Sequence, residues 1–443
     1  MAGHAAGQFL GICIDSRSAK PGDLFVAFRG EHQDGHQFVS DALRRGAYGA
    51  IVEKIPDGID PEGQHPIVQV PSSANALIAL AASWRRRHDV RVVGVTGSVG
   101  KTTAKEMIAG LLGQHFRVLS TPDNFNTELG LAMCLMQLES THEVAVLEMG
   151  MHALGEIAQL ADMALPEVGI VTNVLPTHLE RLGTIERIAH AKGELVHALP
   201  SNGLAILNAD DERVLAMSVP CQTLLIGTSH RADLRATAVE GMGLDGTRCI
   251  FELRGRRIPA RLPLLGNHSV YPAMAAIGAA LHFGVDFQQS ISELQTIQPR
   301  PRLSIVPGRN GVTLIDDAYN ASPASVIAAL DLLQQMKGRH VAVLGDMLEL
   351  GSFEEEGHRA VGHRAQRAAD CLLVVGERAR YIAEGARSAG MSADSIEMCT
   401  DNEQVISRLE ERLRPGDYVL VKGSHAMQLE AVVAALQRPA PAN

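Results

Sequence analysis

The strongest constraint on this chain is a pattern that recurs along it. A short run of Val, Ile, Leu and Ala stops at a Gly or a polar residue, and a stretch with helical spacing often follows. Examples are RVVGVTG (91–97), VAVLEMG (144–150), VGIVTN (168–173), LAILNADDE (204–212), VTLIDDAYN (312–320), VAVLGDM (341–347), LLVVGE (372–377) and YVLVKGS (418–424). Continuous apolar runs belong to strands covered on both faces, and their alternation with helices predicts parallel sheets in an α/β fold. In such sheets ligands bind beyond the C-terminal ends of the strands. The polar residues that close the runs are therefore the first candidates for chemistry.

At 443 residues the chain is too long for one hydrophobic core, so two or three domains are expected. Two stretches break the pattern. Residues 55–66, IPDGIDPEGQHP, read as a loop late in a first small domain; IQPRPR at 297–302 has prolines on both sides of Arg300, which favours an extended linker. Between roughly 232 and 263 the runs give way to alternation, as in TRCIFEL, around GLDG. That predicts an antiparallel hairpin set into the middle domain.

Charge and cysteine usage narrow the class of function. The net charge is −10 and no block of Lys or Arg stands out, which argues against nucleic acid or a membrane surface as partner but allows a local basic pocket for phosphates. Cys13, Cys134, Cys221, Cys249, Cys371 and Cys399 are scattered without a CxxC pair and read as reduced, mostly buried thiols of a cytosolic protein. No run reaches the ~20 apolar residues that a membrane-spanning helix needs. The start, MAGHAAGQFLGICID, lacks the basic opening and apolar stretch of a signal peptide.

VVGVTGSVGKTTAKEMIAGLL is the most specific local signal. An apolar strand at 91–95 runs into the turn Gly97-Ser98-Val99-Gly100, after which Lys101, Thr102 and Thr103 open a helix with apolar residues at Met107, Ile108, Leu111 and Leu112. Glycines let backbone N–H groups close around phosphate oxygens, and the helix N-terminus adds partial positive charge. Lys101 supplies a cation to the β- and γ-phosphates of ATP, and the Thr102 hydroxyl can hold Mg²⁺. Val95 occupies the first Gly position of the general GxxxxGK[ST] form. The plainer alternative is a tight strand–helix turn with a surface lysine. A dinucleotide site is disfavoured because GxGxxG is absent here.

Around this loop the chain resembles the Mur ligase family over nearly its whole length. IDSRSAKPGDLFVAFRGEHQDGHQFVSDALRRGA resembles the family's UDP-sugar-binding domain, and VTGSVGKTT its ATP loop. NFNTELG (124–130), LEMGMHALGEI (147–157), NVLPTHLERLGT (173–184) and HAKGEL (190–195) follow in the family's order. LIDDAYNASP (314–323), VLGDMLELG (343–351) and VKGS (421–424) resemble the members that add D-alanyl-D-alanine. The resemblance implies three domains: a small N-terminal α/β domain (1–86) for the UDP-sugar, a central P-loop parallel-sheet domain (87–298) for ATP, and a C-terminal Rossmann-like domain (299–443). It also implies a reaction. ATP phosphorylates the terminal carboxylate of a UDP-N-acetylmuramoyl-tripeptide, the amine of D-alanyl-D-alanine attacks the acyl phosphate, and ADP and phosphate leave. A cytoplasmic monomer with no nucleic-acid or membrane partner is expected.

The same resemblance assigns roles. Thr102, Glu148, His178 and Lys192 are implied to hold Mg²⁺, a cation that prefers oxygen ligands. Lys192 is implied to be carbamylated by carbon dioxide: an ammonium has donors and no lone pair for a metal, whereas a carbamate presents two oxygens. The reaction needs neutral amine, against an ordinary lysine pKa near ~10.4. Lys101, His178 and Lys192 are the implied catalytic residues. Asp316, and Arg302 from the linker, join 97–103 in holding the nucleotide. Ser16 and Arg17 contact the UDP-sugar, since Arg suits a diphosphate. Asn124, Asn126 and Thr127 lie between the ATP and peptide sites. Asp346, Glu349 and Lys422 face the dipeptide or shape the closed cleft. Plainer roles stand beside these: a capping or solvated acid at Glu148, a structural His178, a helix-surface Lys192, helix capping by Asp316 and turn chemistry at the asparagines.

The chain departs from the family at Thr127, Ser269 and Pro272, where Asn is usual, and at His425, where Arg is more common. The adenine contacts near Ser269 and Pro272 are the ones this puts in doubt. Three other readings stay open: a ligase of this architecture that adds a single amino acid or extends folate, a P-loop regulatory module with weak ATP hydrolysis, and a dinucleotide-binding oxidoreductase.

Overall fold

The structure is a computed structural model and describes residues 8–30, 33–61, 63–122, 125–298 and 303–438. The apolar runs form three sheets. The first has four short parallel strands in chain order, Gly11–Cys13, Asp23–Val26, Gly49–Val52 and Ile67–Gln69. The second runs, edge to edge, through Arg256–Leu262, Thr247–Leu253, Leu234–Gly241, Gln222–Gly227, Leu204–Asn208, Val168–Val171, Arg91–Thr96, Val144–Glu148 and Val118–Ser120. From Leu234–Gly241 onward its neighbours are parallel. The third runs through Ser304–Pro307, Thr313–Asp316, Tyr418–Lys422, His340–Gly345, Cys371–Val375 and Ile396–Cys399, with only the first strand antiparallel to its neighbour.

Strand Arg91–Thr96 shows why the runs are apolar throughout. Val93 and Val95 face helices Lys101–Leu112 and Val270–His282, in a core with Met107, Ile108, Leu111 and Ile277. Val92 faces the opposite layer, with Leu131, Leu135, Leu160 and Leu195. Each fully buried Leu or Val contributes on the order of 1.5–3 kcal/mol, so both faces favour this arrangement. Strand order reverses at Arg91–Thr96: Val144–Glu148 lies on one side and Val168–Val171 on the other. This is the kind of switch point at which α/β sheets open a crevice.

The predicted hairpin is larger than expected. Three antiparallel strands, Leu234–Gly241, Thr247–Leu253 and Arg256–Leu262, extend the central sheet by a meander. The Arg254-Gly255 turn, with φ of +48° and +79°, makes the second reversal. Helix Ser73–Arg85 lies at the expected end of the first domain but joins two units. Ala76 and Leu80 pack on Leu24, Val26 and Ile51 of the first sheet, whereas Leu77 and Ala81 enter the central core. Trp84 Nε1 and Arg85 Nε donate to Leu138 O and Ala164 O at 3.1 and 2.8 Å. All six cysteines are free and five are buried. Among the described residues no helix is long and apolar enough to cross a membrane.

Candidate active site

A cavity of about 1480 Å³ opens beyond the C-terminal ends of the central strands, closed on its far side by the third sheet. Ser98–Thr103 line one wall, with His178, Asn208 and Tyr271; Asp317, Glu349 and Lys422 line the opposite wall.

The phosphate loop is held by its neighbours as well as by its own lysine. Asn173, which closes strand Val168–Val171, accepts from Val99 N and donates to Val99 O, both at 2.9 Å. Thr172 Oγ1 donates to Val99 O at 2.7 Å, and Ser98 Oγ donates to Leu175 O at 3.0 Å. Lys101 Nζ folds back to Gly97 O at 2.8 Å and Ser98 O at 3.3 Å. Gly97 has φ +147°, and a Cβ there would lie 1.9 Å from Thr172 Oγ1 and 3.2 Å from Asn173 N. Gly97→Ala is therefore expected to lower stability by roughly 1–3 kcal/mol and to raise the KM for ATP. Urea denaturation and steady-state kinetics check this; an unchanged midpoint and KM would show that the loop can shift.

Glu148 is fully buried at the end of strand Val144–Glu148, and both its oxygens are engaged. Thr102 Oγ1 donates to Oε2 at 2.7 Å and Asn126 Nδ2 to Oε1 at 3.0 Å. Its backbone N–H donates to Thr121 Oγ1 at 3.0 Å, and the buried Lys105 ammonium donates to Thr121 O at 2.7 Å. A buried carboxylate is tolerable only with such partners.

Lys192 is 2% exposed on helix Ile185–His197 and makes no hydrogen bond or ion pair among the described residues. Burial, reinforced by the Lys101 charge, holds its amine well below the ordinary lysine pKa. His178 precedes helix Leu179–Leu182, with its ring edge-on to His152 at 5.4 Å. Its Nδ1 lies 2.5 Å from Glu349 Oε2. Burial lowers His178 to about 4, opposed by Glu349 and reinforced by the Lys192 and Lys101 charges. Lys101, His178 and Lys192 thus share one electrostatic neighbourhood, to which Glu148 is joined through Thr102; Lys101, Thr102 and His178 line the cavity, whereas Glu148 and Lys192 do not.

Other expected residues fall elsewhere. Asp316 does not line the cavity; it is half-buried, and its Oδ1 accepts from Ala318 N at 3.2 Å. Burial and the neighbouring Asp317 charge raise its pKa against that bond. Asp317 lines the cavity instead and pairs with the buried Lys422 ammonium at 2.6 Å. Asp346 is also absent from the wall: Oδ1 accepts from Ala379 N at 2.7 Å, ahead of helix Arg380–Ser388. Thr127 caps helix Glu128–Leu135. Ser16 is buried, while Arg17 is exposed and forked onto Asp15, and neither lines the cavity. Asn124 and Arg302 lie outside the described residues.

Asn173, Asn208, Asp210, Tyr271 and His152 line the cavity without having been singled out. Asp210 accepts from Tyr271 Oη at 2.8 Å and from Thr228 N at 2.6 Å. Three of these close or directly follow the runs VGIVTN and LAILNADDE, so the rule of inspecting strand ends could have found them.

Comparison with known proteins matches the whole arrangement. The family profile "Mur ligase family, catalytic domain" matches residues 8–85, "Mur ligase middle domain" matches 95–280, and "Mur ligase, glutamate ligase domain" matches 301–425. The UDP-N-acetylmuramoyl-tripeptide–D-alanyl-D-alanine ligase of Bacillus subtilis is 35% identical, over 96% of this chain and 92% of that protein. The crystal structure of MurF from Acinetobacter baumannii superposes with a TM-score of 0.86 at 30% identity, over 96% of this chain and 92% of that one. The MurF ligase of Thermotoga maritima in complex with ADP gives 0.84 at 31% identity, over 96% of each chain. This chain belongs to the Mur ligase family.

Proposed function

We propose that the chain is an ATP-dependent, ADP-forming ligase that joins D-alanyl-D-alanine to a UDP-N-acetylmuramoyl-tripeptide in peptidoglycan precursor synthesis. One observation carries the reading. A phosphate loop lines the cavity, a buried carboxylate is bonded to its first threonine, and a buried amine, unpartnered among the described residues, lies within electrostatic reach of Lys101 and His178. Ligases of that specificity align with 96% of the chain.

Mg²⁺ fits this donor set. The buried Glu148 carboxylate and Thr102 Oγ1 lie 2.7 Å apart at the head of the phosphate loop, and such a cation takes one or two carboxylates and completes its shell with phosphates and water. Thr102 Oγ1, Glu148, His178 and a carbamate on Lys192 would hold it. When bound it would neutralise charge on the transferring phosphoryl group.

The remaining work falls to the chain itself. Backbone N–H groups of 98–103 and the N-terminus of helix Lys101–Leu112 receive phosphate oxygens, and Lys101 turns from its loop carbonyls toward them. The Lys192 amine, its pKa held well below that of an ordinary lysine by burial, adds in its free-base form to carbon dioxide and releases one proton, so the site gains a negative oxygen ligand. Arg302 serves the nucleotide, with Asp316 behind the wall that Asp317 lines, Ser16 and Arg17 serve the UDP-sugar, and Asn124, Asn126 and Thr127 the segment between the two substrates. Lys422 shapes the dipeptide side, and Asp346 supports it from within its own unit through Ala379 N. The walls of the cavity keep water from the acyl phosphate. The enzyme works as a cytoplasmic monomer in three units, 1–86, 87–298 and 299–443.

A coupled assay with ATP, UDP-N-acetylmuramoyl-tripeptide and D-alanyl-D-alanine tests the proposal. ADP and phosphate are expected only when all three are present. AMP as product, or undiminished activity with a single amino acid in place of the dipeptide, would overturn it.

A further inference from the structure

Two turns from different sheets meet across the cavity. One, at His178 leading into the short helix Leu179–Leu182, follows strand Val168–Val171 of the central sheet; the other, Glu349–Gly351, follows strand His340–Gly345 of the third sheet. Their contact is polar and close. Glu349 Oε2 lies 2.5 Å from His178 Nδ1, and Glu349 Oε1 lies 3.9 Å from Arg181 Nη2. Glu180 N donates to Glu349 O at 3.4 Å. A Cβ on Gly351 would stand 3.0 Å from Glu180 N, so the two backbones meet without room for a side chain.

The backbone at this junction is unusual on both sides. His178 has φ +58° and Glu349 φ +63°. Side chains disfavour this left-handed region, and they remain in it where the surroundings fix them. An imidazole that gives its Nδ1–H to a carboxylate keeps its lone pair on Nε2. Carboxylate partners of this kind orient histidines that bind metals.

We propose that Glu349 is a positioning residue that ties completion of the central site to docking of the C-terminal domain: its carboxylate, carried in on the Glu349–Gly351 turn, fixes the His178 imidazole with Nε2 as the ligating atom. This rests on the ligase reading, in which His178 meets the metal or phosphates of bound nucleotide. It gives that enzyme a means of withholding phosphoryl transfer while the cleft is open to water.

The full-length protein with a non-hydrolysable ATP analogue, and Mn²⁺ as a spectroscopic probe in place of Mg²⁺, tests this by electron paramagnetic resonance. Glu349→Gly removes the carboxylate and suits the left-handed backbone; Glu349→Gln keeps the length and an acceptor oxygen. Glu349→Gly is expected to weaken Mn²⁺ binding about 10- to 100-fold and to enlarge the nucleotide-bound particle in X-ray scattering. Glu349→Gln should recover part of the affinity, and it carries the test alone if the glycine variant does not fold. Mn²⁺ affinity within about twofold of wild type in the folded variants, whatever their turnover, overturns the proposal. Absence of nucleotide-dependent Mn²⁺ binding in the wild type would sink the ligase reading itself, and this one with it.

Discussion

Lys192→Met is expected to abolish turnover while leaving the fold at least as stable as the wild type. The side chain is 2% exposed and unpartnered among the described residues, so its ammonium form has lost water and gained nothing in return. Methionine keeps the length and apolar character without that penalty. Loss of a negative ligand that would hold Mg²⁺ against the transferring phosphoryl group removes several kcal/mol of transition-state stabilisation, on the order of 10³-fold in rate. The sign of the pH dependence follows from the depressed pKa. Between the depressed folded value and the unfolded value of ~10.4 the unfolded chain binds a proton that the folded chain does not. In carbon dioxide-free buffer wild-type stability therefore rises with pH between the folded and unfolded pKa values and falls as pH drops, by at most about 1.4 kcal/mol per pH unit. The Met variant lacks this contribution. Urea denaturation at pH 7 and pH 9 measures it, and full activity in Lys192→Met would remove the carbamate from the mechanism.

Lys101→Ala should lower kcat/KM for ATP on the order of 10³-fold, a value typical of a deleted charge-stabilising group. Its ammonium now caps Gly97 O and Ser98 O, so it is held at the loop before any phosphate arrives. Its charge also disfavours protonation of Lys192 and His178. Removing it lets both bind protons at higher pH, so the residual activity should decline at a higher pH than wild-type activity does. A loss smaller than about tenfold would place the phosphates elsewhere.

The central layer was legible because its signals are local. Val92, Val93 and Val95 read as a doubly covered strand, and GKTT followed by Met107, Ile108 and Leu111 reads as the helix behind it. Glu148 was legible because it ends such a strand. What lay beyond reach depends on which of two adjacent residues turns inward, or on long-range contact. Asp316 and Asp317 are adjacent in sequence, yet only Asp317 lines the cavity, where buried Lys422 neutralises it. Asp346 follows a strand as Glu148 does, but the N–H of Ala379 binds it inside its own unit. The His178–Glu349 pair joins positions 171 residues apart, a separation that no local pattern encodes.

The most direct test follows an oxygen atom. If the acceptor's terminal carboxylate is enriched in ¹⁸O and turnover proceeds with unlabelled ATP, phosphoryl transfer to that carboxylate followed by amine attack must leave one labelled oxygen in the released phosphate. The mechanism predicts one ¹⁸O per phosphate formed. Phosphate without label, or label recovered in AMP, would contradict it.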